Sequence, residues 1–214
     1  MAKSELIIFD CDGVLVDSET ITNQVLVDYL NEFGAGLSLK EALELFQGGA
    51  LSDSIEYMNQ KHGITLPPEF TSNFRHRMKA AFEKRLKAVP GIVELIDSLI
   101  AANKKICIAS NGPIEKMDTT LHITNLKKYF GDSVFSAYQI NKWKPEPDLF
   151  LYAAEQMNTK PENCTVIEDS PRGIKAAKLA GMKAYGFDVY GKTEELKAEG
   201  AVLFTKMTDL IDKI

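Results

Sequence analysis

The sequence contains little cysteine, and its three cysteines are far apart. Cys11, Cys107 and Cys164 fit neither a disulfide framework nor a Cys-x-x-Cys metal motif. None of them is followed six positions later by an arginine, which excludes a cysteine-dependent phosphatase. We therefore expect a protein of a reducing compartment whose chemistry does not depend on thiols.

Long hydrophobic runs and an excess of positive charge are also missing. No apolar run approaches the roughly 20 residues that span a membrane, and the apolar stretch near the N-terminus is too short for a secretory signal. The 25 Lys and Arg against 30 Asp and Glu give a net charge of −5, which argues against a nucleic-acid-binding surface. We expect a soluble cytoplasmic protein, a monomer or weak dimer, with neither membrane nor nucleic acid as partner.

What the sequence does contain is an alternation of short apolar runs with stretches of helical spacing. The apolar runs are Leu6–Phe9, Ile106–Ala109, Val134–Phe135, Thr165–Ile167, Ala184–Val189 and Ala201–Phe204. The helical stretches between them include Ile92–Leu99, Leu149–Met157 and Ile174–Ala180. This alternation predicts an α/β fold, with a parallel sheet covered by helices on both faces.

One region interrupts the alternation. From about Ser18 to Leu86 the sequence shows only amphipathic helical patterns and no convincing strand. The patterns cover Val25–Phe33, Leu39–Phe46, Ile55–Gln60 and Phe70–Leu86. The sequence therefore predicts a core domain of residues 1–16 and 88–214, with an all-helical domain of residues 17–87 inserted after the first strand.

Four polar segments follow predicted strands, although the strand before the third segment is poorly defined. They are Asp10-Cys11-Asp12-Gly13, Ser110-Asn111-Gly112, Lys144-Pro145 and Glu168-Asp169-Ser170. Parallel α/β sheets keep their sites at the carboxyl ends of the strands, so we expect these segments to meet there. Each segment alone also fits ordinary turn or helix-start chemistry; Ser170 before Pro171, for example, is a good helix N-cap. The joint occurrence, in this order, favours a functional site.

The converging charges predict a metal and an anion. Four carboxylates in one cleft, from Asp10, Asp12, Glu168 and Asp169, would raise one another's proton affinity, and a hard cation such as Mg²⁺ relieves this. The cation of Lys144, with the neutral donors of Ser110 and Asn111, suits a tetrahedral anionic group. Held in its ionised form, Asp10 could act as a nucleophile, and Asp12 could act as general acid and base.

These four segments resemble the motifs of the haloacid dehalogenase superfamily, in its subgroup with a helical cap after the first strand. The motifs stand here as Asp10-Cys11-Asp12-Gly13-Val14, Ser110, Lys144-Pro145 and Glu168-Asp169, and the likeness covers essentially the whole chain. The resemblance implies a Rossmann-like core, Mg²⁺ and phosphoryl transfer through an aspartyl-phosphate. It also implies that the metal is held by the side chains of Asp10 and Asp169 and the backbone carbonyl of Asp12. Glu168 would bind the metal directly or contact one of the metal's ligands.

Within the superfamily, Asp12 favours phosphate chemistry over dehalogenation. Hexose-phosphate mutases such as β-phosphoglucomutase are similar, but they carry a cap histidine where this chain has Thr22. They also carry an arginine in the loop written here Gly48–Asp53, which has none. The stretches SNGPIEKM (110–117) and WKPEPDLFLYAAEQMN (143–158) resemble bacterial 6-phosphogluconate phosphatases. We therefore expect a phosphatase of a small sugar or sugar-acid phosphate, with the mutase as the alternative.

Two further alternatives remain open from the sequence. The segment from Gly186 to Thr193 satisfies the G-x-x-x-x-G-K-[ST] pattern of a P-loop, although Phe187 and Val189 look more like continuing strand. A phospho-acceptor signalling domain also combines acids, a lysine and Mg²⁺ on a parallel sheet. Such a domain, however, needs no helical insertion.

Overall fold

A computed structural model describes residues 4–46, 51–189 and 191–214. Its strands form one six-stranded sheet in which every pairing is parallel. They are β1 (Leu6–Phe9), β2 (Lys105–Ser110), β3 (Val134–Ser136), β4 (Cys164–Glu168), β5 (Lys183–Phe187) and β6 (Val202–Phe204). The predicted α/β class with a parallel sheet is confirmed.

The helices in the described part of the chain comprise a helical set from the insertion and a set that covers the sheet. The first set is α1 (Glu19–Asn31), α2 (Leu39–Phe46), α3 (Leu51–His62) and α4 (Phe70–Arg85). The second set is α5 (Ile92–Ala101), α6 (Ile114–Ile123), α7 (Lys127–Phe130), α8 (Ala137–Ile140), α9 (Asp148–Gln156), α10 (Pro171–Leu179) and α11 (Thr193–Ala198). The sequence pattern does not predict α7, α8 or α11, because helices of four to six residues are too short to show a period.

The described residues divide into two compact units. Asp17–Lys87 forms one unit, and the remaining described residues form the other. The helical unit has a hydrophobic core of its own, in which the rings of Tyr29 and Phe70 stack with centroids 4.5 Å apart. Each unit can therefore bury its own apolar side chains.

The position of β1 explains where the polar segments lie in the sheet unit. The strand order is β3-β2-β1-β4-β5-β6, so β1 lies between β2 and β4, and the direction of strand addition reverses there. All four residues of β1 are buried, as expected for a parallel strand covered on both faces. The carboxyl ends of β1, β2 and β4 therefore meet at the switch point, where open α/β sheets bind ligands.

In the described ranges, no helix combines the length and the apolar character needed to cross a membrane.

Candidate active site

The chain turns sharply as it leaves β1. The Asp10 N–H donates to the carbonyl oxygen of Ile167 at 3.0 Å, so Asp10 still lies against β4. The turn follows at Gly13, whose φ of +82° lies in the left-handed region that favours glycine. A side chain at Gly13 would also overlap the carboxylate of Asp169. The acid at the end of β4 therefore packs directly on the loop that carries Asp10.

Lys144 is held at its backbone and at its ammonium. Its Nζ donates to Asp10 Oδ1 at 2.6 Å and to Glu168 Oε1 at 2.7 Å, and the residue is only 2% exposed. Its backbone N–H donates to Asn111 Oδ1 at 2.9 Å, and its carbonyl accepts from Arg172 Nη2 at 3.1 Å. The lysine is thus fixed as a positive charge between two buried carboxylates, in agreement with its predicted place beside Asp10.

Glu168 has both carboxylate oxygens engaged. While Oε1 accepts from Lys144, Oε2 accepts from the N–H of Asp169 at 3.0 Å and from the N–H and Oγ of Ser170 at 2.9 and 2.8 Å. A side chain at Gly173 would overlap this carboxylate, so the first turn of α10 packs directly against it. Glu168 therefore uses both oxygens to hold Lys144 and the loop after β4, and its expected role at a metal, direct or indirect, stays a prediction.

Ser110 and Asn111, predicted to bind phosphate, lie in a tightly bonded loop after β2. Ser110 Oγ accepts from the N–H of Gly112 at 3.1 Å, which leaves its hydroxyl hydrogen as a donor for an anion. The carbonyl of Gly112 accepts from Ser136 Oγ at 2.6 Å. Asn111 uses its Oδ1 to hold the backbone of Lys144, so only its Nδ2 could donate to a phosphate. Asn111 therefore has a positioning role that sequence reasoning does not reveal.

Lys116 is a residue of this site that the sequence analysis does not identify. Its Nζ donates to Asp12 Oδ2 at 2.8 Å, and the side chains of Lys116 and Asp12 are 25% and 18% exposed. The only signal in the sequence is its position, six residues after Ser110 and in the first turn of α6. A single lysine near a helix start is ordinarily a solvated residue, so that signal is weak.

Burial sets the electrostatics of the pair at the centre of the site. Burial raises the pKa of the Asp10 carboxyl to about 7, against the opposing effect of Lys144 and with a further contribution from Glu168. Burial alone would lower the pKa of Lys144, but the carboxylates of Asp10 and Glu168 outweigh it and raise that pKa. Lys144 is therefore protonated, and Asp10 is an acid whose ionisation depends on a nearby positive charge.

Comparison with known proteins identifies the family. The sequence model of the haloacid dehalogenase-like hydrolases matches residues 7–187. The chain belongs to this family. The resemblance seen in the sequence is confirmed, and the chain is an enzyme of the haloacid dehalogenase-like hydrolase family.

Similar members of the family are known as proteins and as structures. The chain is 34% identical to 6-phosphogluconate phosphatase of Escherichia coli K12, over 98% of this chain and 94% of that protein. It is 28% identical to phosphorylated carbohydrates phosphatase of Thermotoga maritima, over 93% and 90% of the two chains. A crystal structure of a HAD family hydrolase from Deinococcus radiodurans R1, with bound phosphate and sodium, has a TM-score of 0.85 and 32% identity, and covers 98% of this chain and 94% of that one.

Family membership implies Mg²⁺, and the side chains at the switch point fit a magnesium site that has few protein ligands. Among the residues that the structure describes, no group of three or more His, Cys, Asp or Glu side chains is arranged to hold a metal ion. The four-carboxylate cluster expected from Asp10, Asp12, Glu168 and Asp169 is thus not formed as a cage. However, Mg²⁺ usually needs only one or two carboxylates and keeps several waters. The buried Asp10 and the Asp169 carboxylate packed against Gly13 meet that smaller requirement.

The P-loop alternative does not fit this haloacid dehalogenase-like hydrolase. Asp188, at the end of β5, accepts from the N–H of Lys192 at 3.0 Å and from the hydroxyl of Thr193. A P-loop would direct these groups at a nucleotide's phosphates and its metal ion, whereas here a carboxylate of the same loop engages them and would repel a phosphate. Tyr190, within the motif, lies outside the described residues.

Proposed function

We propose that this enzyme is a Mg²⁺-dependent phosphatase that hydrolyses a small sugar or sugar-acid phosphate through an aspartyl-phosphate at Asp10. The observation that carries the proposal is the buried Asp10 carboxylate at the switch point, bonded at Oδ1 by the fixed ammonium of Lys144. The names of the relatives support the phosphatase class. The bound phosphate in the similar Deinococcus radiodurans hydrolase supports an anion site in this fold.

The proposed reaction has two half-reactions. In the first, Asp10 Oδ2 attacks the phosphorus, the bond from phosphorus to the alcohol oxygen breaks, and the Asp12 carboxyl gives its proton to that oxygen. In the second, Asp12 takes a proton from a water whose oxygen attacks the phosphorus, and the bond to Asp10 breaks. Phosphate leaves, and both aspartates return to their starting states.

The residues around Asp10 have separate tasks in this scheme. Lys144 offsets negative charge on the attacking carboxylate and on the phosphoryl group, and Glu168 holds Lys144 in place. The side chains of Asp10 and Asp169 and the backbone carbonyl of Asp12 would hold Mg²⁺. When bound, Mg²⁺ would neutralise charge on the phosphoryl oxygens. Ser110, with its hydroxyl hydrogen, would donate to one of those oxygens.

For the substrate, we propose 6-phosphogluconate as the first candidate. The support is the 34% identity to the Escherichia coli 6-phosphogluconate phosphatase over nearly the whole chain. We further propose that Asp17–Lys87 serves as the cap domain that selects substrates in this family. Its contribution would lie in the shape and charge of the substrate that it admits.

Hydrolysis is favoured over the mutase alternative by the helical unit. The hydroxyl of Thr22, at the place of the mutases' histidine, donates to Met78 Sδ at 3.8 Å within that unit. A threonine so placed cannot replace an imidazole in acid–base chemistry. Of the loop that lacks the mutases' arginine, Gly48, Gly49 and Ala50 lie outside the described residues, while Leu51, Ser52 and Asp53 begin α3.

The test is phosphate release from a panel of esters, with Mg²⁺ and with EDTA, that includes 6-phosphogluconate and β-glucose 1-phosphate. We expect turnover with Mg²⁺ only, and product analysis of the second ester should give glucose rather than glucose 6-phosphate. Asp10→Asn should abolish turnover, while Asp118→Asn, at an exposed acid paired with Lys127 at 2.9 Å, should not change it. Turnover that persists in EDTA or in Asp10→Asn would refute the proposal.

A further inference from the structure

The pair of Lys116 and Asp12 joins two segments that are far apart in sequence. Lys116 Nζ lies 2.8 Å from Asp12 Oδ2, across 104 residues of chain. Both side chains are partly exposed, and ion pairs that water can reach contribute little to stability. The pair therefore does little to hold the fold together, and its effect lies in where it places the Asp12 carboxylate.

The partner that holds Asp12 is itself well anchored. Lys116 lies in the first turn of α6, where its N–H donates to the carbonyl of Pro113 at 3.1 Å. The next residue, Met117, is fully buried beneath the helix, as is Leu121 one turn later. The ammonium thus extends from a backbone that packing has fixed.

A second contact places Asp12 against the same loop. A Cβ built on Gly112 would lie 3.7 Å from Asp12 Oδ2, 3.5 Å from Ser110 Oγ and 3.9 Å from Lys116 Cδ. The Asp12 carboxylate therefore leans on the loop after β2, beside the serine proposed to bind phosphate. Lys116 engages the carboxylate on that side, at Oδ2.

We propose that Lys116 is a positioning residue that fixes the Asp12 carboxylate for proton transfer to the leaving alcohol. The inference rests on the proposed phosphatase function. In the first half-reaction the bond from phosphorus to the alcohol oxygen breaks as the proton of the Asp12 carboxyl moves to that oxygen. The resulting carboxylate then stays paired with Lys116 until it takes a proton from the attacking water. Without the ammonium, the short Asp12 side chain can rotate away from the alcohol oxygen.

The experiment uses the leaving group to separate this role from a general structural one. A sugar phosphate releases a basic alkoxide that needs a proton, whereas p-nitrophenyl phosphate releases a stable phenolate that does not. We would measure release of the alcohol or phenol in a single turnover, with Mg²⁺ and enzyme in excess, so that only the first half-reaction is observed. The variants are Lys116→Met, Lys116→Arg and, as a matched control, Lys127→Met, which removes a lysine paired with Asp118 outside the site.

We expect Lys116→Met to slow alcohol release from the sugar phosphate by about tenfold or more, because positioned acids contribute about 10²–10⁴-fold in rate. Release of p-nitrophenol should fall less than about threefold, and the enzyme concentration that gives the half-maximal rate should change little. Lys116→Arg should restore most of the rate, and Lys127→Met should match the wild type.

Equal slowing of both esters by Lys116→Met would overturn the inference. So would a rise in the enzyme concentration that gives the half-maximal rate, confined to substrates with a carboxylate, since Lys116 would then bind substrate directly. These results are distinct from failure of the proposed function, in which the wild-type enzyme releases neither alcohol nor phenol.

Discussion

The ammonium of Lys144 lies 2.6 Å from Asp10 Oδ1, although 134 residues separate the two in sequence. This contact connects the loop after β1 to the loop that precedes α9, and Glu168 completes it from the end of β4. Despite the nearby cation, burial keeps the pKa of Asp10 near 7. The site therefore favours a second positive charge beside Asp10, and several measurable consequences follow from this.

The stability of the metal-free enzyme should fall as the pH rises from about 4 to about 7. In that window the folded protein keeps a proton on Asp10 that the unfolded chain, with its pKa near 3.8, has already lost. The difference corresponds to at most about 4 kcal/mol in the free energy of unfolding. Urea unfolding in EDTA should show this slope in the wild type and in Asp118→Asn but lose it in Asp10→Asn.

Mg²⁺ should act in the opposite direction at neutral pH. A cation at Asp10 favours the ionised carboxylate, so added Mg²⁺ should raise the melting temperature of the wild type more than that of Asp10→Asn. An equal rise in both proteins would show that Asp10 is not a metal ligand. An unfolding slope that Asp10→Asn leaves intact would show that Asp10 is not the titrating group.

Gly13→Ala should destabilise the enzyme more than Gly34→Ala, although both glycines have nearly the same φ, +82° and +84°. A side chain at Gly34 meets nothing within 4 Å, so this variant carries only the backbone cost of about 1 kcal/mol. At Gly13 the methyl group also overlaps Asp169 and should add roughly 1–3 kcal/mol. Denaturant unfolding measures the difference, and activity should be lost in Gly13→Ala alone. Equal destabilisation would mean that Asp169 does not pack on the Asp10 loop.

Glu168→Gln should inactivate and destabilise the enzyme. The change removes the negative charge that pairs with the buried Lys144, and it can place an amide NH₂ where Oε2 accepts from the N–H of Ser170. Together these effects should lower the free energy of unfolding by about 3–5 kcal/mol. Ser170→Ala is the matched control, because it removes one hydrogen bond to Glu168 and the N-cap of α10, which is worth about 1 kcal/mol. We expect thermal unfolding to rank the two variants in this order. A Glu168→Gln enzyme as stable as Ser170→Ala would contradict the positioning role.

Much of the sheet could be predicted because the signal for a buried strand lies within a few consecutive residues. A buried parallel strand requires a continuous apolar run, and Leu6–Phe9 is both the predicted segment and the observed β1. Asp10 and Glu168 were predictable as neighbours because Asp10 follows β1 and Glu168 ends β4, the strand that pairs with β1. Chain topology alone then brings them to one edge of the sheet.

The remainder depends on contacts that no local pattern encodes. Lys116 is indistinguishable in sequence from a solvated lysine until α6 places it beside Asp12. Asn111 was expected to bind phosphate, and its bond to the backbone of Lys144 depends on a loop without regular structure. The P-loop pattern failed for the related reason that Asp188 engages the loop's own donors.

The central claim is that a phosphoryl group is transferred to Asp10, and chemical trapping of the enzyme during turnover tests it most directly. Enzyme mixed with Mg²⁺ and substrate would be quenched with acid and treated with borohydride, which reduces an acyl phosphate but not a free carboxyl. Peptide mass spectrometry would then locate the reduced side chain. We predict reduction at Asp10, dependent on substrate and absent from Asp10→Asn. Reduction at another residue, or none while substrate is being turned over, would contradict the account.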